Sequence, residues 1–331
     1  MRSPWSRSMD SLGPPEDLVR DHWSSIFTDA QVWRPLIEEI WRREGLGVVG
    51  AVDGGLPGSN AVFRVNAECW VKIAWPRYMD DLAREAEILA AIGSAAAIPA
   101  PRLIARDVLH GTMRWEYLVM THVPGHSLGE VRQYIPRRDL EAIAETAGAI
   151  IRAIHDLPRP TPPSTLPLDP DYWPGFIDGQ IAAAPQRHST CQAMAPYMDE
   201  LPEFLAAWRS ALAESFVPTV IHADITADHI MVAERAGRWG VTGIIDLGDV
   251  EIGHRDYEWV AVHLDCLALD VPLMRRLLDS YGYGPDESLP PRLLALTLLH
   301  RFADMEWLGT ELPASSDTLE GVADTAFGGL A

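Results

Sequence analysis

The stretch Ile221-His222-Ala223-Asp224-Ile225-Thr226-Ala227-Asp228-His229-Ile230-Met231-Val232, with Val241-Thr242-Gly243-Ile244-Ile245-Asp246-Leu247-Gly248-Asp249 downstream of it, decides how this chain is read. Each run follows β-rich sequence and leaves a carboxylate on the connecting turn, Asp224 in the first and Asp246 in the second. Phosphoryl transfer asks for such a pair. One carboxylate accepts the proton of the attacking hydroxyl, and another, with a partner ligand, holds metal on the β- and γ-phosphates. His-x-Asp, four residues and then a ligand is the spacing from His222 through Asp224 to His229. A lone Asp after a strand is as often a turn cap, but the matched spacing to His229 and Asp246 argues against that here.

HADITADHIMV resembles the catalytic loop of the aminoglycoside and macrolide phosphotransferases, and IIDLGDVEIG resembles their metal-binding loop. The resemblance covers most of the chain beyond the first thirty residues; VTGIIDLGDV and LLALTLLHRF are closest in kind to the hygromycin B kinases of that family. It implies an α+β class: a bilobal protein-kinase-like fold with a small β-rich N-lobe and a larger helical C-lobe. It also implies that Asp224 is the general base, that Asp246 is a metal ligand with His229, and that ATP or GTP is the donor with Mg2+. His222 is expected to brace the loop rather than to react. His229 stands where most members have Asn, although the macrolide kinases also carry His there. An imidazole suits Mn2+ better than Mg2+, so the metal preference is open. A catalytically silent chain with a core histidine is the contrary possibility. The family often continues Gly-Asp-Pro-x-x-Asp, whereas Gly253-His254-Arg255-Asp256-Tyr257-Glu258 stands here, which puts any role of that segment in doubt.

Upstream, Trp70-Val71-Lys72-Ile73 follows an Asn66-Ala67 turn and reads as the second strand of a hairpin. Lys72, the only lysine of the chain, has the setting of the strand lysine that holds α- and β-phosphates. Glu85, on the helix expected between Asp80 and Ile92, is its natural partner, with Glu87 as the alternative. Gly54-Gly55-Leu56-Pro57-Gly58-Ser59-Asn60 lies between predicted strands but matches neither Gly-x-Gly-x-x-Gly nor a P-loop. It reads equally as a hairpin turn or as a phosphate lid in which Ser59 and Asn60 take part. After the strand Trp115–Met120, the segment Met120, Thr121, His122 and Val123 is hinge-like, and the resemblance implies that Met120, Thr121 and Val123 contact the nucleotide base.

The chain has 331 residues, 47% of them hydrophobic, enough for one large core or two hinged ones. A formal charge of −20 argues against nucleic acid or an anionic membrane as partner and would attract a cationic substrate, although such acidity is commonly a solubility trait. Neither a membrane-spanning stretch nor a signal-peptide core is visible, which suggests a cytoplasmic protein. Cys69, Cys191 and Cys266 are widely spaced and suggest neither a disulfide framework nor a zinc site.

Residues 1–30 are expected to be a poorly ordered or helical extension, 31–122 the nucleotide-binding N-lobe, and 123–331 the catalytic and substrate-binding C-lobe. A helix is expected over Ala30–Glu44, another from Asp139, as possible cap, to Pro158, and a further one over Leu293–Leu308. Asp178, Asp265, Asp304 and Glu306 are acidic candidates for holding a cationic acceptor, though each reads more readily as a solvated surface group. Trp173, Phe176, Trp259 and Trp307 offer the alternative of an apolar wall for a large-ring antibiotic, or simply core. The expected activity is O-phosphorylation of an antibiotic hydroxyl, most readily an aminoglycoside. A macrolide 2'-phosphotransferase, a metabolic small-molecule kinase and an inactive nucleotide-binding module are the rivals. Oligomeric state is not legible.

Overall fold

The computed structural model describes residues 12–14, 16–55, 58–74, 79–93, 95, 97–284, 286–303 and 316–331. Two compact units emerge. The first comprises the described part of Met1–Ala96, with Ala100–Val123 and Asp246–Gly248; the second comprises Ala97–Pro99, Pro124–Ile245 and Asp249–Ala331.

In the first unit, α1 (Glu16–Ile26) leads into α2 (Ala30–Glu44). Asp29 caps α2 by accepting from the Gln31 N–H, and Gly45 ends it in the left-handed conformation at φ +67°. Trp33, Leu36, Ile37, Ile40 and Trp41 recur on one face of α2 and are buried. That face needs an apolar partner and finds it in a five-stranded antiparallel sheet. The strands are β1 (Val52–Gly54), β2 (Asn60–Val65) and β3 (Cys69–Ala74), then, after helix α3 (Met79–Ile92), β4 (Leu103–His110) and β5 (Arg114–Thr121). Their order in the sheet is β1-β2-β3-β5-β4. Strand alternation sends Phe63, Val65, Val71, Ile73, Tyr117 and Val119 into the core with α2, and sends Lys72 to the opposite face. There α3 offers Glu85.

The second unit begins with β6 (His126–Ser127), α4 (Leu128–Val131) and α5 (Arg137–His155), continues through α6 (Tyr172–His188) and α7 (Leu201–Ala213), and reaches β7 (Thr219–Ile221), β8 (Ile230–Arg235), β9 (Arg238–Ile244) and β10 (Glu251–Gly253). It closes with α8 (Glu258–Ala261), α9 (Val271–Tyr281), α10 (Leu289–Leu299) and α11 (Leu319–Phe327). β6-β8-β9 form one small sheet and β10-β7 another. The turn from β7 to β8 is the run from His222 to His229.

Several local expectations shift. The helix expected to start at Asp139 begins two residues earlier, after Pro136, and Asp139 is no cap. It is fully buried, accepting from the Arg238 Nε–H at 2.6 Å and the Trp239 N–H at 3.2 Å, and so pins α5 to the β8–β9 hairpin. The helix expected up to Leu308 stops at Leu299, with His300 extended at its end. β4 was not anticipated. Trp173 and Trp259 are 3% and 0% exposed, so both belong to the core rather than to an aromatic wall.

Candidate active-site halves

In the first unit, Lys72 lies between two carboxylates. Its Nζ is 2.8 Å from both Glu85 oxygens and 2.6 Å from Asp246 Oδ1. Burial works against the ammonium, but Asp246 and Glu85 outweigh it and raise its pKa, so Lys72 is charged. Burial pushes the Glu85 carboxyl upward, and the nearby Lys72 charge opposes that. Asp246 has φ +64°, a strained value for a residue with a side chain, and its side chain is 46% exposed. Arg84, beside Glu85, donates to the Gly248 carbonyl at 3.5 Å. Lys72, Glu85 and the Asp246 loop are thus brought together.

The glycine-containing turn has a packing explanation. A Cβ on Gly54 would lie 2.6 Å from the Thr28 carbonyl oxygen, so the close approach of the α1–α2 connection requires glycine there, whatever else the turn does. Leu56 and Pro57 fall outside the described residues. Ser59 is exposed, while the buried Asn60 Oδ1 has no hydrogen-bond partner among the described residues. At the hinge, Met120 and Val123 are buried. The Thr121 and His122 N–H groups donate to Arg102 O at 3.0 Å and Glu68 O at 2.8 Å, which commits those two donors to the protein itself.

In the second unit the loop from His222 to His229 is held from several sides. The His222 Nε2–H donates to the Ile245 carbonyl at 3.1 Å, and the Ile245 N–H donates to His229 O at 3.0 Å. His229 Nδ1 lies against the Asp224 carbonyl and 3.1 Å from Thr226 Oγ1. With a carbonyl as acceptor, Nδ1 carries the proton, and in the neutral ring Nε2 then keeps the lone pair, the tautomer a metal ligand needs. The His222 and His229 rings stack at 5.8 Å. Asp224 is about one-fifth exposed, with Oδ2 3.7 Å from His229 Nδ1. Asp228 accepts from Ser127 Oγ at 3.1 Å.

Glu258, in the segment whose role the sequence left in doubt, organises this loop. Its carboxylate accepts from the His222 N–H at 2.7 Å and the Ala223 N–H at 3.1 Å, and Ala223 sits at φ +68° immediately before Asp224. His155 Nε2 is 3.2 Å from the same carboxylate, and its Nδ1 is 2.9 Å from the Tyr281 hydroxyl. Glu258 is 1% exposed, so its charge is balanced by these donors rather than by water. A glutamate inside the apolar run Tyr257-Glu258-Trp259-Val260-Ala261 was the signal available in the sequence, because a carboxylate there must be buried with partners.

The acceptor candidates separate. Asp178 is gripped by Arg209 through both oxygens, at 2.6 and 2.8 Å, on an exposed face. Asp265 is exposed on the π-helical turn Val262–Cys266 and accepts from the Ala227 N–H of the Asp224 loop at 2.6 Å. Asp304, Glu306 and Trp307 lie outside the described residues.

The model of the phosphotransferase enzyme family, abbreviated APH, matches residues 55–318, which include the Lys72 strand, the Asp224 loop and the Asp246 loop. The chain belongs to this family. Solved structures similar to this phosphotransferase include the GDP and kanamycin complex of APH(2")-IIia, with 18% identity, 87% of this chain and 98% of that one covered, and a TM-score of 0.63. APH(3'')-Id from Streptomyces rimosus, in complex with ADP and streptomycin, is 17% identical over 80% of this chain and 98% of that one, with a TM-score of 0.57. At such identities the likeness establishes the fold, which is the kinase-like one. A curated relative, lysine-specific demethylase JMJ21 of Arabidopsis thaliana, is 21% identical over 209 residues, 51% of this chain. The phosphotransferase spans only 21% of that relative's length. Among the described residues no helix is long and apolar enough to cross a membrane.

Proposed function

We propose that this phosphotransferase moves the γ-phosphate of ATP or GTP to a hydroxyl of an antibiotic, an aminoglycoside of the hygromycin type. The observation that carries this is the double commitment of Lys72. A structural ion pair needs one carboxylate, and Glu85 supplies it; the second, Asp246, sits on a strained turn where a cation and phosphate oxygens would also be held. Lys72 would neutralise the α- and β-phosphates, with Glu85 fixing its direction. Asp224 would accept the hydroxyl proton late in the transfer, a task that depends on its position more than on its basicity. Glu258 supports that position by clamping the two preceding N–H groups.

The donors suit a divalent cation. Asp246 offers carboxylate oxygens, and His229 carries its lone pair on Nε2. An ion held by these donors would complete its shell with phosphate and water. Bound there, Mg2+ or Mn2+ would supply charge neutralisation on the β- and γ-oxygens. Asp265, tied to the Asp224 loop, is the described carboxylate best placed to meet an ammonium group of the acceptor; Asp178 is already neutralised by Arg209. His229 favours a macrolide as the second choice of acceptor. A mass-shift screen with ATP and GTP against hygromycin B, other aminoglycosides and erythromycin tests the proposal. A gain of one phosphate on an aminoglycoside supports it, phosphorylation of erythromycin alone moves it to the second choice, and nucleotide turnover without any modified acceptor contradicts both.

A further inference from the structure

Trp70 and Lys72 are two positions apart on β3 and project from the same face, while Val71 and Ile73 between and beyond them enter the core with α2. Strand register places Trp70 between Arg64 of β2 and Met120 of β5, and places Lys72 between Val62 and Leu118. Two residues of strand are about 7 Å. The Trp70 side chain therefore leaves the sheet that far from the Lys72 backbone, on the row that ends at the hinge.

The indole is not held by apolar contact alone. Trp70 Nε1–H donates to His122 Nδ1 at 3.0 Å, with the ring centroids 6.3 Å apart. An indole N–H only donates, so Nδ1 must be the lone-pair nitrogen and the imidazole must be neutral. His122 itself is fixed by its N–H to the Glu68 carbonyl. The charged groups around it are Arg64 of β2, paired with Asp53 of β1 at 3.2 Å, Glu68 on the β2–β3 turn, and Arg102, bonded through its backbone to Thr121. Burial first and the Arg64 charge second hold the His122 pKa below its ordinary value.

We propose that His122 is a positioning residue for nucleotide binding: as a neutral acceptor it holds the Trp70 indole as the wall against which the base packs, and on protonation it releases it. The inference rests on the kinase activity proposed above. Protonation would put N–H on both His122 nitrogens, so two donors would face each other and the indole would have to turn away. Because burial and Arg64 depress the His122 pKa, the hydrogen bond is intact at neutral pH and is lost only as pH falls below the ordinary imidazole range.

The test is calorimetric titration of ATP, and of inorganic tripolyphosphate, into the wild type, His122→Gln and His122→Leu between about pH 8 and about pH 5.5. Gln offers an acceptor that does not titrate; Leu offers none. Relative to His122→Gln, wild-type ATP affinity should fall about tenfold on the acid side, and His122→Leu should bind ATP about tenfold more weakly throughout, the size of one buried hydrogen bond. Tripolyphosphate affinity should be the same in all three at each pH, since the loss belongs to the base. A constant wild-type to His122→Gln ratio across the range, or an equal loss for tripolyphosphate, overturns the inference. Absence of ATP binding by the wild type at neutral pH would instead count against the kinase proposal itself.

Discussion

Glu258 spends one buried carboxylate on two consecutive backbone N–H groups and on His155, and those N–H groups belong to the residues just before Asp224. Removing it strands buried donors, each costing about 1–3 kcal/mol. Glu258→Ala should therefore destabilise the second unit by about 3 kcal/mol. A urea midpoint unchanged from wild type would show that the clamp carries no weight. His229 poses a question of donor chemistry at the same scale. His229→Asn replaces an imidazole nitrogen by an amide oxygen, a harder donor, and should raise the ratio of Mg2+-supported to Mn2+-supported activity. Turnover measured with each ion decides it, and an unchanged ratio would remove His229 from the ligand set. That Lys72 meets Glu85 and Asp246, and that Asp224 lies beside His229, was legible because motif spacing along the chain grouped them. Glu258 was less legible because its partners are backbone groups more than thirty residues away, and backbone groups carry no sequence signature.

At the level of elements, legibility followed one-sided burial. α2 declared itself through its apolar face, its Asp29 cap and its Gly45 stop, and β3 through the hairpin turn before it. β4 did not. It is an edge strand with one buried residue, Leu109, among eight, and its polar face gives no alternation to detect. The end of α10 was also missed, because the apolar run of Leu293–Leu299 continues into His300, whose extended backbone a helical pattern does not reveal. The Gly45 stop lends itself to measurement. Nothing lies within 4 Å of a Cβ built there, so Gly45→Ala tests backbone conformation alone, at φ +67°. It should cost about 1 kcal/mol, read as a lower denaturation midpoint. A midpoint at or above the wild-type value would mean that α2 ends without needing the left-handed residue.

Across the whole molecule, acid should be the condition that unsettles the fold. His254, His263 and His300 are each held neutral, chiefly by burial, with pKa values pushed down to about 4. Their ordinary value is 6.5, so an unfolded chain takes up these protons first. The stability they confer is complete above pH 6.5 and drains as pH falls from there toward about 4, by about 2 kcal/mol for each at about pH 5. Unfolding midpoints across that window should drop steeply, and less steeply for His263→Gln; a flat profile in the wild type would contradict the neutral, buried assignment. The acidity of the chain, −20 in formal charge, suits a cationic acceptor but does not select one. The proposed catalysis rests on Asp224, and the most direct measurement compares single-turnover phosphate transfer by the wild type and Asp224→Ala, with ATP affinity determined on the same samples. The expected result is transfer abolished and nucleotide affinity kept within a few-fold. Equal transfer by the two proteins would contradict the assignment of Asp224 as the base, and with it the chemistry proposed for this fold.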